Sequence, residues 1–397
     1  LQTASTAEEE TLTTCVTAFD SDGFSLGSNG NVNTNSATFV AWNWLAGGTA
    51  PAITYVVKVV SDSGNKYRFD DYGTSAVTLD LQEGGTYTFD QSDSSNSGHP
   101  LRFYTASDKT GGEYTTGVTT TGTPGSSGAQ TVITVAASAP TLYYQCSNHA
   151  GMGGQANTNS TFGSSNFGGS IQSTVSAGTT QGFSIVTYTG TGSVATVGHG
   201  LGKKPKWFIV KSRTHSQNWF VYHVGTGATK NPRLNDNAAP YTTANIWNNT
   251  EPTDTVISLG SSSGVNGNGN SYICYCWTDI PGYSKFGSYT GNGNNDGTFV
   301  YTGFKVEFLL IKRTNTTEHW ILADTKRNSV SGRESPADSY LLASASNAES
   351  TGIVYDMLSN GFKFRSTSQN ESGSTYIYMA FAEQPKITPF GSQSNAR

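Results

Sequence analysis

The sequence repeats itself at a spacing of about 100 residues. "WFIVKSRTHSQNWFVYH" (207–223) aligns with "FLLIKRTNTTEHWILAD" (308–324), setting Lys211 over Lys312 and Trp219 over Trp320. "GFSIVTYTGTG" (182–192) aligns with "GYSKFGSYTGNG" (282–293). Three segments rich in β-branched and aromatic residues close the pattern: "ATFVAWNWLAG" (37–47), "SYICYCWTDI" (271–280) and "TYIYMAFAEQ" (375–384). Each reads as a strand and follows a Gly/Ser/Asn-rich stretch. The chain therefore divides into a β unit at 181–281, a second copy at 282–388 and a tail at 389–397. Residues 1–48 look like only the last third of a third copy.

A lone strand-turn-strand end can neither bury its apolar face nor pair both edges. Phe39, Trp42 and Trp44 must therefore pack on residues preceding this chain, on another module or on a neighbouring subunit. We expect the segment to complete a sandwich. Beginning at Leu1 without a signal peptide, the sequence reads as a fragment, a processed product or the ordered part of something longer.

Composition fits a turn-rich all-β chain. Charged residues are 13% against a usual ~25%, too few for a long charged helix or coiled coil. The 46 glycines supply turns such as "GTG", "NGNGN" and "GNGNNDG" between short strands, as in β-sandwiches. With a net charge of −5 there is no basic footprint for nucleic acid. No apolar run approaches the ~20 residues of a membrane helix, so membrane insertion is not expected. The best helix candidate is the short "RESPADSYLLASAS" (333–346), and 156–180 reads as a flexible linker.

Residues 49–155 have a different texture, with strand-like runs from "AITYVVKVV" to "TLYYQC". Two motifs stand out: "SGHPLRF", with His99, and "YYQCSNHAGMGG", with Cys146, His149 and Met152. Two imidazoles, a thiolate and a thioether are the donors of a trigonal His2Cys copper site with a long axial Met. Gly151, Gly153 and Gly154 permit a tight loop that folds His149 and Met152 back over the end of the Cys146 strand.

On these motifs the stretch resembles the cupredoxins, the blue-copper domains of the amicyanin and plastocyanin type. The resemblance implies a Greek-key sandwich, copper as cofactor, and His99, Cys146, His149 and Met152 at the ligand positions. The segment before His99, "DQSDSSNSG", is more polar than those electron carriers have there, which weighs against electron transfer as the main role.

Elsewhere the chemistry is sparse. Cys274 and Cys276 share one strand face and read as buried core thiols. His199, His215, His223 and His319 show no metal spacing, and the carboxylates around His319 have no counterpart in the other repeat, so no enzyme activity is expected. The five basic residues of "GKKPKWFIVKSR" read as charge guarding an edge strand. Trp42, Trp219, Trp277 and Trp320 read as core.

The repeat and its endings, with "YYQCSNHAGMGG" spliced among them, resemble modules of structural and tail-fibre-like proteins of marine tailed phages, including cyanophages. That resemblance implies a virion-surface, extracellular appendage built of β-sandwich modules. Its partners would be copies of itself, other virion proteins and a host surface glycan or protein, with adhesion as its use. The alternatives are a secreted copper protein carrying electrons and a non-viral carbohydrate-binding or filament-forming surface protein.

Overall fold

The computed structural model describes residues 1–20, 23–47, 50–160, 163–327 and 337–382. The expected tail at 389–397 lies outside them. The fold is all-β, with several sandwich modules in series.

The inserted module is a two-sheet β-sandwich. One sheet runs Asn65–Phe69, Ala52–Ser61, Thr86–Asp90, Gln130–Thr134, Val118–Thr121. The other runs Leu79–Gln82, Gln155–Ser160, Leu142–Cys146, Leu101–Tyr104. Side chains alternate across a strand, so Tyr87 and Phe89, Leu101 and Phe103, and Leu142, Tyr144 and Cys146 all point into one core.

Residues 156–180 are not a linker. Gln155–Ser160 lies inside the second sheet, beside Leu79–Gln82 and Leu142–Cys146. Ser164–Asn166 and Ser173–Gly178 add two strands to the first repeat's sheet. Phe167 enters the insert's core, 5.6 Å from Tyr55 and 5.3 Å from Tyr72 between ring centres. The polar composition read as flexible because its hydroxyls find partners only in the fold: Ser165 Oγ accepts from Asp80 N at 2.8 Å, and Thr158 Oγ1 donates to Ala139 O at 2.9 Å.

The two repeats share a strand order. In the first, Phe183–Thr189, Ser271–Trp277, Trp207–Ser212 and Phe220–His223 lie side by side. In the second the order is Ser284–Thr290, Thr375–Phe381, Phe308–Arg313, Ile321–Asp324. Registers match, with Trp207 opposite Trp277 and Phe308 opposite Phe381. The second sheet continues through Ala337–Leu342, Ser350–Leu358, Gly361–Phe364 and Phe299–Tyr301. The expected helix at 333–346 is, over its described part, a strand: Tyr340 and Leu341 pair with Ala323 and Leu322.

One face of each repeat sheet covers its own core, and the other face packs against its twin. Phe183, Trp207, Ile209 and Trp277 meet Phe286, Phe308, Trp320 and Phe381 in a single cluster. Full burial of such side chains stabilises by about 1.5–3 kcal/mol each. His223 joins the seam, its Nε2 donating to Tyr378 O at 3.1 Å.

Residues 1–47 dock on this pair. The turn Gly30–Asn33 is capped by Asn29, as Ser263–Asn266 is capped by Ser262. Asn33 Nδ2 donates to Gly27 O at 2.9 Å, just as Asn266 Nδ2 donates to Gly260 O at 3.1 Å. Trp44 lies edge-on to Trp277 at 6.2 Å and to Phe381 at 5.5 Å, the positions aligned with it in the two repeats. Two expectations are corrected here. The 37–47 stretch pairs with no strand among the described residues. Phe39 stays 53% exposed, while Trp42 and Trp44 are half-buried at the seam. The edge-guard reading of "GKKPKWFIVKSR" also falls, because Trp207–Ser212 is an interior strand and Lys211 is fully buried.

Candidate metal centre

Antiparallel pairing sets Cys146 opposite Leu101, so the loop carrying His99 lies beside the end of the Cys146 strand. Ser147 N donates to Pro100 O at 3.0 Å, and Asn148 Nδ2 to Gly98 O at 2.9 Å, which clips the two loops together. The "HAGMGG" loop then turns back. Gly151 is left-handed at φ 70°. At Gly153 a Cβ would fall 1.6 Å from Tyr144 O, so only glycine fits. Met152 is buried in the core with Cys146 and Tyr144, and Tyr67 N donates to its carbonyl at 2.8 Å.

Both imidazoles turn Nδ1 toward the buried sulfur. Cys146 Sγ lies 3.8 Å from His99 Nδ1 and 3.5 Å from His149 Nδ1. The rings are 4.6 Å apart, and one donor atom from each of the three residues lies within 4.8 Å of the others. A thiolate at roughly 2.3 Å and an imidazole nitrogen at roughly 2.0 Å from one ion, at roughly 110–120°, stand roughly 3.5–3.8 Å apart. The two sulfur–nitrogen distances meet that requirement. Burial, then the neighbouring His149, hold His99 below the usual histidine range and favour the neutral ring that ligation needs. Among the described residues this is the one His/Cys/Asp/Glu cluster with such geometry. Met152 is brought to the same loop and buried with Cys146.

Sequence reasoning missed the supporting residues. His99 Nε2 lies 3.5 Å from Asn65 Nδ2, on the side of the ring away from Cys146. The polar segment before His99 proves structural. Asp93 caps a short 3-10 turn through Ser95 N at 2.9 Å, and Ser95 Oγ accepts from Val59 N at 2.9 Å. Buried Asn96 donates to Val57 O at 2.7 Å, and buried Gln91 donates to His99 O at 2.9 Å. Asn148 was visible in the Cys-x2-His spacing, whereas the Gln91–Asn96 network gave no sequence signal.

The other singled-out residues are placed apart from this cluster. Cys274 and Cys276 are buried core thiols with sulfurs 3.4 Å apart, and burial pushes Cys274 well up. His319 contacts Ser344 Oγ at 2.9 Å, while Glu318 and Asp324 pair with Arg313 at 3.5 Å and Arg327 at 2.7 Å.

The molecule is thus an array of β-sandwich units interrupted by a sandwich that carries a thiol–imidazole cluster. By sequence the chain belongs to the family described as "Domain of unknown function (DUF7483)", whose model matches residues 1–82 and 153–385. His99, Cys146, His149 and Met152 all lie in the unmatched stretch between those segments. No curated protein and no solved structure matches the chain.

Proposed function

We propose that the chain is a virion structural protein, a fibre or decoration module that works through assembly and host-surface contact. The observation that carries this reading is the docking of unit on unit: two equivalent sheets share an aromatic seam, and a third, partial unit sits on the same seam. The sequence resemblance to phage tail-fibre-like modules supports it. Exposed aromatics on the outer surface, Tyr241, Phe299 and Tyr301, offer rigid faces for glycan or protein contact. Immunogold labelling of purified particles with an antibody to this chain tests the reading. Label on an appendage is the expected result, and particles free of the chain overturn it.

The cluster at Cys146 favours a second property, metal binding in the insert. Two imidazoles, a thiolate and a thioether suit copper, held by His99, Cys146 and His149 with Met152 as the weak fourth donor. Bound copper would supply one-electron chemistry or would pin the loop and stabilise the fold. Copper content of purified protein, with His99→Ala as control, decides it: copper no higher than in the control ends the claim.

A further inference from the structure

Two buried lysines at aligned positions do the same work in different places. Lys211 Nζ donates to Gln217 O at 3.0 Å within its own unit, and Lys312 Nζ to Glu318 O at 2.6 Å. Each then reaches a carbonyl from outside: Lys211 to Thr6 O at 3.0 Å, Lys312 to Asn237 O at 3.1 Å. The same outside carbonyls accept a backbone N–H, from Gln217 at 2.8 Å and from Glu318 at 2.7 Å. The aligned indoles complete the pattern. Trp219 Nε1 donates to Gln2 O at 3.0 Å and Trp320 Nε1 to Arg233 O at 2.8 Å, each four residues before the lysine-bound carbonyl.

The segments received are alike in backbone and unlike in sequence. Ser5 N donates to Gln2 O at 3.2 Å, and Asp236 N to Arg233 O at 3.4 Å, so each segment makes the same turn. Ser5 Oγ accepts from Ala7 N at 3.0 Å, and Asp236 Oδ1 from Ala238 N at 3.1 Å. Gln-Thr-Ala-Ser-Thr-Ala and Arg-Leu-Asn-Asp-Asn-Ala share only the short polar acceptor at the fourth place and the alanine at the sixth. Every contact from socket to segment reaches a main-chain carbonyl. A buried ammonium costs several kcal/mol unless its donors are satisfied, so an empty socket is strongly disfavoured.

We propose that Lys211, Gln217 and Trp219 form a peptide-binding socket for a turn with Ser or Asp at its fourth position and Ala at its sixth, filled by Gln2–Ala7 and open to the same segment of a second copy. In the second repeat the matching socket is filled by a segment that the strands around it hold in place. Gln2–Ala7 is exposed over nearly its whole length and precedes a further exposed stretch, so exchange between copies breaks few other contacts. The device stands whether or not the chain belongs to a virion.

The test uses the full chain with Ser5→Pro, which removes both turn-forming hydrogen bonds of the segment. By hydrogen exchange the Gln217 amide should lose protection while the Glu318 amide, reporting the other socket, keeps it. A Gln217 amide that stays protected overturns the proposal. A fluorescein-labelled peptide of the Gln2–Glu9 sequence should then bind the Ser5→Pro chain saturably, and the native chain at least tenfold more weakly. An unlabelled Arg233–Ala238 peptide should compete. Adding Lys211→Met, or Trp219→Phe where the lysine variant fails to fold, should abolish binding. Absence of saturable binding, or binding indifferent to both socket variants, overturns the proposal.

Discussion

The seam between the repeats buries the groups that titrate there, whereas at the rim of the inserted sandwich only Cys146 is buried, with His99 half-buried and His149 exposed. At the seam His223 and Lys312 are paired with backbone. His223 donates from Nε2 to Tyr378 O and accepts at Nδ1 from Gly225 N at 2.8 Å. Lys312, which burial pushes down to about 8, is capped by two carbonyls. At the rim of the insert, Cys146 Sγ instead faces the Nδ1 atoms of His99 and His149 at 3.8 and 3.5 Å. A buried polar group with complementary partners is architecture. Three ligand-type atoms within 4.8 Å of one another are the group on which the metal-binding proposal rests.

The comparison can be broken in four places. The largest effect is expected at the rim: Cys146→Ser should lower metal affinity by orders of magnitude, read by titration calorimetry. It should also abolish metal-induced thermal stabilisation, which for the native chain at a hundredfold excess over Kd is about 2.7 kcal/mol. Retention of both in the variant would mean that the thiol is not a ligand.

Next comes the seam. Trp207 is fully buried, 5.5 Å from Trp320 and 5.2 Å from His223 between ring centres. Trp207→Ala should cost about 3–5 kcal/mol in chemical unfolding, with metal affinity unchanged. A cost below about 1 kcal/mol would show that the sheets do not depend on each other.

Acid should act on the seam before the rim's backbone loosens. Burial drives His223 down to about 4 from an ordinary 6.5, partly opposed by its bond to Tyr378 O. Between those values the unfolded chain binds a proton that the folded chain does not. Stability therefore falls as pH drops from about 6.5 to about 4, by up to about 3 kcal/mol. Unfolding titrations of native and His223→Gln chains check this, and equal pH slopes would remove His223 from the account.

The smallest effect sharpens the comparison. Asn148→Ala cuts the clip to Gly98 O without touching a donor atom. Metal affinity should fall about tenfold, the scale of outer-contact losses, with the melting temperature of the metal-free chain nearly unmoved. An unchanged affinity would show that the loops hold position without the clip.

Much of this was legible from residue order. Runs of β-branched and aromatic residues identified the strands that hold Cys146 and Trp277, and the aligned Lys–Trp pairs marked the repeat. Cys146, His149 and Met152 were named from spacing and residue type, because a tight loop after a strand brings near neighbours together whatever the rest of the fold does; His99, 47 residues away, was joined to them by residue type, and only the pairing of Leu101 with Cys146 brings it there. What failed was context. "QANTNSTFGSSNFGG" looked unstructured because its Ser, Thr and Asn groups bond to Tyr87, Asp80 and Ala139, which are remote in sequence. Lys211 looked exposed because its carbonyl partner, Thr6, comes from the far end of the chain.

The sequence by itself determined the all-β class, the unit length and the Cys146–His149–Met152 part of the candidate donor set, since these follow from periodicity, turns and neighbours a few residues apart. Only the tertiary structure decided which polar groups are buried, that the supposed linker is strand, and that a turn of one unit plugs the lysine socket of the next. Those outcomes turn on desolvation balanced by partners up to 205 residues away, and no local pattern records that balance.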